Sequence, residues 1–158
     1  MRLQEHTVYM TEEGFRNLQH DLTVLKMERR VEIEEKLAQA TALGDLSENA
    51  SYDFAKQELD LLNERIGTLE DALRNAEIVD YSGDSDTICL GCTVTIAEEG
   101  WDEAEQYKIV GIHEASPLDG LISNKSPIGT ALLGAKVGDT VIAFTPGGET
   151  RFEVLEIA

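Results

Sequence analysis

The chain has 158 residues, enough for one large domain or two small ones, and its 42% apolar content excludes bulk disorder. Its 13 Lys and Arg stand against 31 Asp and Glu, a formal charge of -18. That balance argues against unaided duplex DNA binding, which needs basic side chains to neutralise phosphates, and suits a basic protein partner or a cation. No apolar run approaches the ~18–20 residues that span a bilayer. No apolar signal core follows Met1 to His6. Two cysteines do not make a disulfide scaffold, so a soluble cytoplasmic protein without membrane contact is expected.

Residues 1–80 contain no Pro and only three of the 13 Gly, and are rich in Leu, Glu, Ala, Gln and Arg, all good helix formers. Thr11 followed by Glu12 and Glu13 predicts an N-cap with acids in the first turn. Phe15, Leu18, Leu22 and Leu25 then recur at 3-4-3 spacing, and the stripe steps through Arg29 to Ile33, Leu37 and Ala40. Leu22 to Ile33 is an eleven-residue interval, which predicts a local straightening or reversal of supercoil. Gly44 is the expected stop.

The turn that follows, residues 44–52, contains Asp45 and Glu48. Two readings are open. The pair fits a capping box at the start of the next helix. Equally, carboxylates three apart on a helix start face one side and could share one hard divalent cation. Two are too few to cage Mg²⁺, which wants about six oxygens, so a partner would complete the shell.

The second helical pattern is more regular: Tyr52, Ala55, Leu59, Leu62, Ile66, Leu69, Leu73 and Ala76 alternate 3 and 4. Two matched stripes joined by a short turn predict an antiparallel coiled-coil hairpin over residues 1–80, an arm of roughly 45 Å. A polar stretch, Tyr81 to Asp86, reads as a linker. Residues 81–158 hold all three Pro and ten Gly with many Val, Ile and Thr, favouring strands and turns. Strands are expected over Cys92–Ala97, Gln106–His113, Val141–Phe144 and Phe152–Ile157, with a hairpin turn at Thr145–Gly148. Ser126-Pro127 predicts a cap and first position for a short helix ending at Gly134. The fold class is α+β: a helical hairpin, then a small antiparallel β domain with a short helix.

Gly44-Asp45-Leu46-Ser47-Glu48-Asn49-Ala50-Ser51-Tyr52 resembles the tip motif of the bacterial Gre transcript cleavage factors, of the GreA type. The resemblance runs through Thr11 to Gly14, Ile122-Ser123, Asn124 to Gly129, Thr145 to Glu149 and Phe152 to Val154. It implies an FKBP-like C-terminal domain that binds bacterial RNA polymerase at the rim of its secondary channel, and a hairpin that enters the channel. Asp45 and Glu48 would then be the catalytic acidic pair, holding a second Mg²⁺ jointly with the polymerase and none tightly alone. The polymerase would cleave the 3′ end of backtracked nascent RNA, the factor itself not being an enzyme. Family members that inhibit carry altered, more acidic tips; this tip has the cleavage pattern. The alternative is a channel-binding regulator without cleavage activity. The resemblance makes Lys26, Arg29 and Arg30 candidates to lie near RNA; paired with Glu, they would be an ordinary solvated face. Ser126, Pro127 and Ile128 are candidates to contact polymerase; their other reading is a helix cap and first turn.

Cys89-Leu90-Gly91-Cys92 is a lone C-x-x-C. Zinc would need two more ligands, and a thioredoxin-like redox motif would need a βαβ context that is missing, so two thiols at a strand start are expected. His6, His20 and His113 form no usable spacing, and Trp101 falls in a predicted hairpin loop.

Overall fold

The computed structural model describes residues 7–42, 49–79 and 86–158. Gly44, Asp45, Glu48, His6 and the expected linker up to Ser85 lie outside the described residues. Contacts divide the chain into two units: Arg16–Asn75, and a second made of the stretches up to Phe15 and from Ala76 onward.

The helical unit contains most of α1 (Glu12–Val24), a π-helical turn (Leu25–Arg29), α2 (Arg30–Ala42) and α3 (Ala50–Arg74). Side-chain pairs show that α3 runs antiparallel to the segment it faces. Lys26 meets Glu70, Arg30 meets Asn63, and Lys36 meets Glu58, so partner numbers fall as positions rise. Ile33, Leu62 and Ile66 are buried together, with Leu22, Leu25 and Leu59 packed against them. Leu69, Ala55 and Ala40 are buried further along the same stripes.

The eleven-residue interval is absorbed by the π-turn. A 3-4 seam continued from Leu25 would fall on residues 29, 32, 36 and 39. One extra residue taken up in the wide turn moves it to Arg30, Ile33, Leu37 and Ala40. The expected step through Arg29 is therefore corrected: Arg29 is exposed, while Arg30 is half-buried and donates from Nη2 to Asn63 Oδ1 at 2.8 Å.

Ala76, expected on the helical seam, belongs instead to a strand. Asn75 caps α3, and β2 (Ala76–Ile78) pairs in parallel with β1 (Val8–Met10). Both short strands fall within the stretch read as hairpin, yet they group with the C-terminal residues.

That unit is built on a five-stranded sheet in the order β5-β4-β3-β7-β6, from β3 (Thr93–Glu98), β4 (Ala104–Val110), β5 (Leu121–Ser123), β6 (Thr140–Thr145) and β7 (Gly148–Ile157). The pairs are antiparallel except β4 with β5, which is parallel; a purely antiparallel sheet is thus corrected to a mixed one. A 3₁₀ turn (Pro117–Asp119) lies in the β4–β5 connection. Alternation in β3 buries Val94 and Ile96, which join Ile109, Leu132, Phe152 and Val154 in the core. The short helix α4 (Pro127–Leu132) contributes Leu132. β4 ends at Val110 rather than His113, because Gly111 opens a turn closed by Glu114.

Glu114 fixes the start of α1. Its carboxylate accepts from Thr11 N–H at 3.1 Å, from Gly111 N–H at 3.0 Å and from the Thr11 hydroxyl. Thr11 Oγ1 in turn accepts from Gly14 N–H at 3.0 Å, the expected N-cap. A Cβ on Gly14 would overlap the Glu114 carboxyl, so a larger residue here would have to displace that side chain from its hydrogen bonds.

Candidate functional site at the hairpin turn

Asp45 and Glu48 lie outside the described residues, but the positions that bracket them are defined. Asn49 is the N-cap of α3: its Oδ1 accepts from Tyr52 N–H at 3.1 Å. Its Nδ2 donates to the Ala40 carbonyl, in the last turn of α2, at 2.5 Å. One amide side chain thus accepts from a first-turn N–H of α3 and donates to a last-turn carbonyl of α2. The expected capping box starting at Asp45 is corrected in this respect: the cap of α3 is Asn49, four positions later.

As a donor set, Asp45 and Glu48 fit Mg²⁺ in chemistry: two hard carboxylates, short of the six oxygens the ion wants. Among the described residues, no three His, Cys, Asp or Glu side chains converge on a common metal position.

The three basic candidates are brought together at the π-turn, Lys26 and Arg29 within it and Arg30 capping it. Each has a partner. Lys26 pairs with Glu70, and this hydrogen-bonded ammonium holds the Glu70 carboxyl below its ordinary pKa. Arg29 reaches Glu32 at 3.0 Å and Glu58 at 3.8 Å. Arg30 bonds Asn63. These contacts are on the surface, where water and salt screen such pairs.

Ser126, Pro127 and Ile128 open α4. Ser126 Oγ accepts from Gly129 N–H at 3.1 Å and donates to the Ser123 carbonyl at 2.6 Å. Pro127 is exposed at the first turn, and Ile128 packs partly against the core. The cap-and-first-turn reading therefore describes their local structure. Trp101 is exposed in the β3–β4 connection, as expected. Sequence reasoning missed Asn49 and Glu114. Asn49 carried a signal, being a preferred cap residue directly before a helical pattern; Glu114 carried none, its partner Thr11 lying 103 positions away.

Comparisons with known proteins find relatives over nearly the whole chain. The family description "Transcription elongation factor, N-terminal" matches residues 8–78, and "Transcription elongation factor, GreA/GreB, C-term" matches residues 83–158. Transcription elongation factor GreA of Thermoanaerobacter pseudethanolicus is 46% identical over 95% of this chain and 96% of that protein. The GreA of Bacillus subtilis is 44% identical over 98% and 99%. Among solved structures, the GreA factor homolog Gfh1 of Thermus thermophilus is 33% identical, covering 96% of this chain and 99% of that one, with a TM-score of 0.45. With family matches over both halves and near-full-length identity of this order, the chain belongs to the GreA/GreB family of transcription elongation factors.

Proposed function

We propose that this protein binds bacterial RNA polymerase at its secondary channel and stimulates Mg²⁺-dependent cleavage of the 3′ end of backtracked nascent RNA, so that arrested complexes resume. The observation that carries the reading is the cleavage-type motif, with Asp45 and Glu48 in the sequence between two antiparallel helices, of which α3 is capped separately by Asn49. Neither carboxylate is required as the cap of α3, so both can serve as ligands. Asp45 and Glu48 would hold the ion together with polymerase groups. When bound there, Mg²⁺ supplies Lewis acidity toward the attacking water and the leaving oxygen. The chain contributes carboxylates and their placement; the polymerase contributes the reacting centre, and the factor acts in the cytoplasm without being an enzyme on its own.

Lys26, Arg29 and Arg30 form the RNA-facing side in this proposal, RNA phosphates replacing their exposed partners. Pro127 is the exposed polymerase contact, with Ser126 and Ile128 setting its position. Asp45→Ala and Glu48→Ala test the tip: each is expected to abolish cleavage in a stalled complex while polymerase still retains the protein in a pull-down. A double variant that cleaves like the parent overturns the assignment. A parent that binds without cleaving identifies a channel-occupying regulator instead.

A further inference from the structure

We propose that Cys89 and Cys92 form a redox-active dithiol, a modification site that exchanges with low-molecular-weight disulfides to give a reversible Cys89–Cys92 disulfide. Neither cysteine is in a disulfide, and their Sγ atoms lie 3.0 Å apart. The turn that joins them produces this approach. Cys92 N–H donates to the Cys89 carbonyl at 3.1 Å, and Gly91 takes φ 90, the conformation that lets glycine occupy the third position of a type II turn. Such a turn holds its end Cα atoms within about 7 Å, inside the range a disulfide spans. Cys89 N–H donates to Cys92 Sγ at 3.2 Å, which keeps the second sulfur facing the first. The turn is itself clamped to β4: Gly91 N–H donates to the Ile109 carbonyl at 2.7 Å, and Ile109 N–H to the Cys92 carbonyl at 3.0 Å. Closing the S–S bond to its ordinary length of about 2.05 Å needs a sulfur movement of about 1 Å, available from side-chain torsion without displacing the strand.

The two thiols differ in access. Cys92 is completely buried, whereas Cys89 is half-buried. That sets the order of events. Cys89 gives its proton to solvent and its sulfur attacks a disulfide RSSR, forming a Cys89–S–SR bond and expelling RS⁻. Cys92 then loses its proton and attacks Cys89 Sγ, forming the internal disulfide and expelling the second RS⁻. Both RS⁻ take up protons. Two protein thiols are oxidised by two electrons, and one RSSR is reduced to two RSH. This is independent of the tip chemistry and does not rely on a thioredoxin-like fold.

The test uses the full chain equilibrated without oxygen in graded mixtures of reduced and oxidised glutathione, then quenched with an alkylating agent and analysed by peptide mass spectrometry. The expected result is loss of both alkylatable thiols together, a Cys89–Cys92 linked peptide, and full return on reduction. Cys92→Ser is expected to accumulate a glutathione adduct on Cys89, and Cys89→Ser to form at least tenfold less adduct under the same mixture. Circular dichroism of both variants, matched to the parent, keeps the comparison on folded protein. Two alkylatable thiols persisting at every ratio, or a stable glutathione adduct on the parent in place of the internal bond, would overturn the proposal.

Discussion

At Asn49 a single amide group bonds both the last turn of α2 and the first turn of α3. Truncating it removes the acceptor for Tyr52 N–H and the donor to Ala40 O together. Asn49→Ala is expected to destabilise the helical unit by about 1–2 kcal/mol, read as a lower midpoint in thermal unfolding; an unchanged midpoint would remove Asn49 from the cap. Tyr107 gives a residue-scale prediction of a different kind. Its hydroxyl donates to Glu105 Oε2 at 2.7 Å, and that bond, with partial burial and the carboxylate charge, pushes its pKa up to about 12. The folded state therefore holds a proton that an unfolded tyrosine, with its pKa near ~10, releases. The associated stability is present below pH ~10 and is lost as pH rises toward 12. Phenolate absorbance in Glu105→Gln should rise at lower pH than in the parent; superimposable curves would dismiss the bond as the cause.

The elements show where local pattern suffices and where it fails. Seven apolar positions at 3-4 spacing, from Tyr52 to Leu73, made α3 legible, and matching spacings made its partner legible too. The π-turn was visible only as an irregular interval, because one extra residue can straighten a supercoil or widen one turn, and spacing alone does not choose. Ala76 continues the 3-4 period past the helix end, so periodicity reads through Asn75 into β2. β1 and β2 are three residues each and pair across the length of the helical unit, leaving no local signal. Likewise, the Thr11 cap was legible but its attachment to Glu114 was not. That attachment makes a coupled prediction. Gly14→Ala in the parent should cost about 1–3 kcal/mol through overlap with the Glu114 carboxyl. In a Glu114→Ala background the same change should cost much less, because the obstructing carboxyl is gone and alanine is the better helix former. Additive losses in denaturant melts of the four proteins would contradict the close approach.

Across the whole chain, the acidic balance of -18 suits a basic partner surface, and among the described residues no helix is long and apolar enough to cross a membrane. The family was legible because its motifs are short, spaced and in order. Spacing alone left Asp45 and Glu48 between capping and metal binding, since both uses ask for acidic residues three apart. Asn49 as the observed cap of α3 removes one of those demands. The measurement that bears most directly on the account is a cleavage assay: purified protein and Mg²⁺ added to a stalled bacterial elongation complex carrying RNA labelled at its 5′ end. The account predicts a shortened labelled RNA that extends again when nucleotides are supplied. Labelled RNA that stays at its original length, with the protein bound to the complex, would contradict it.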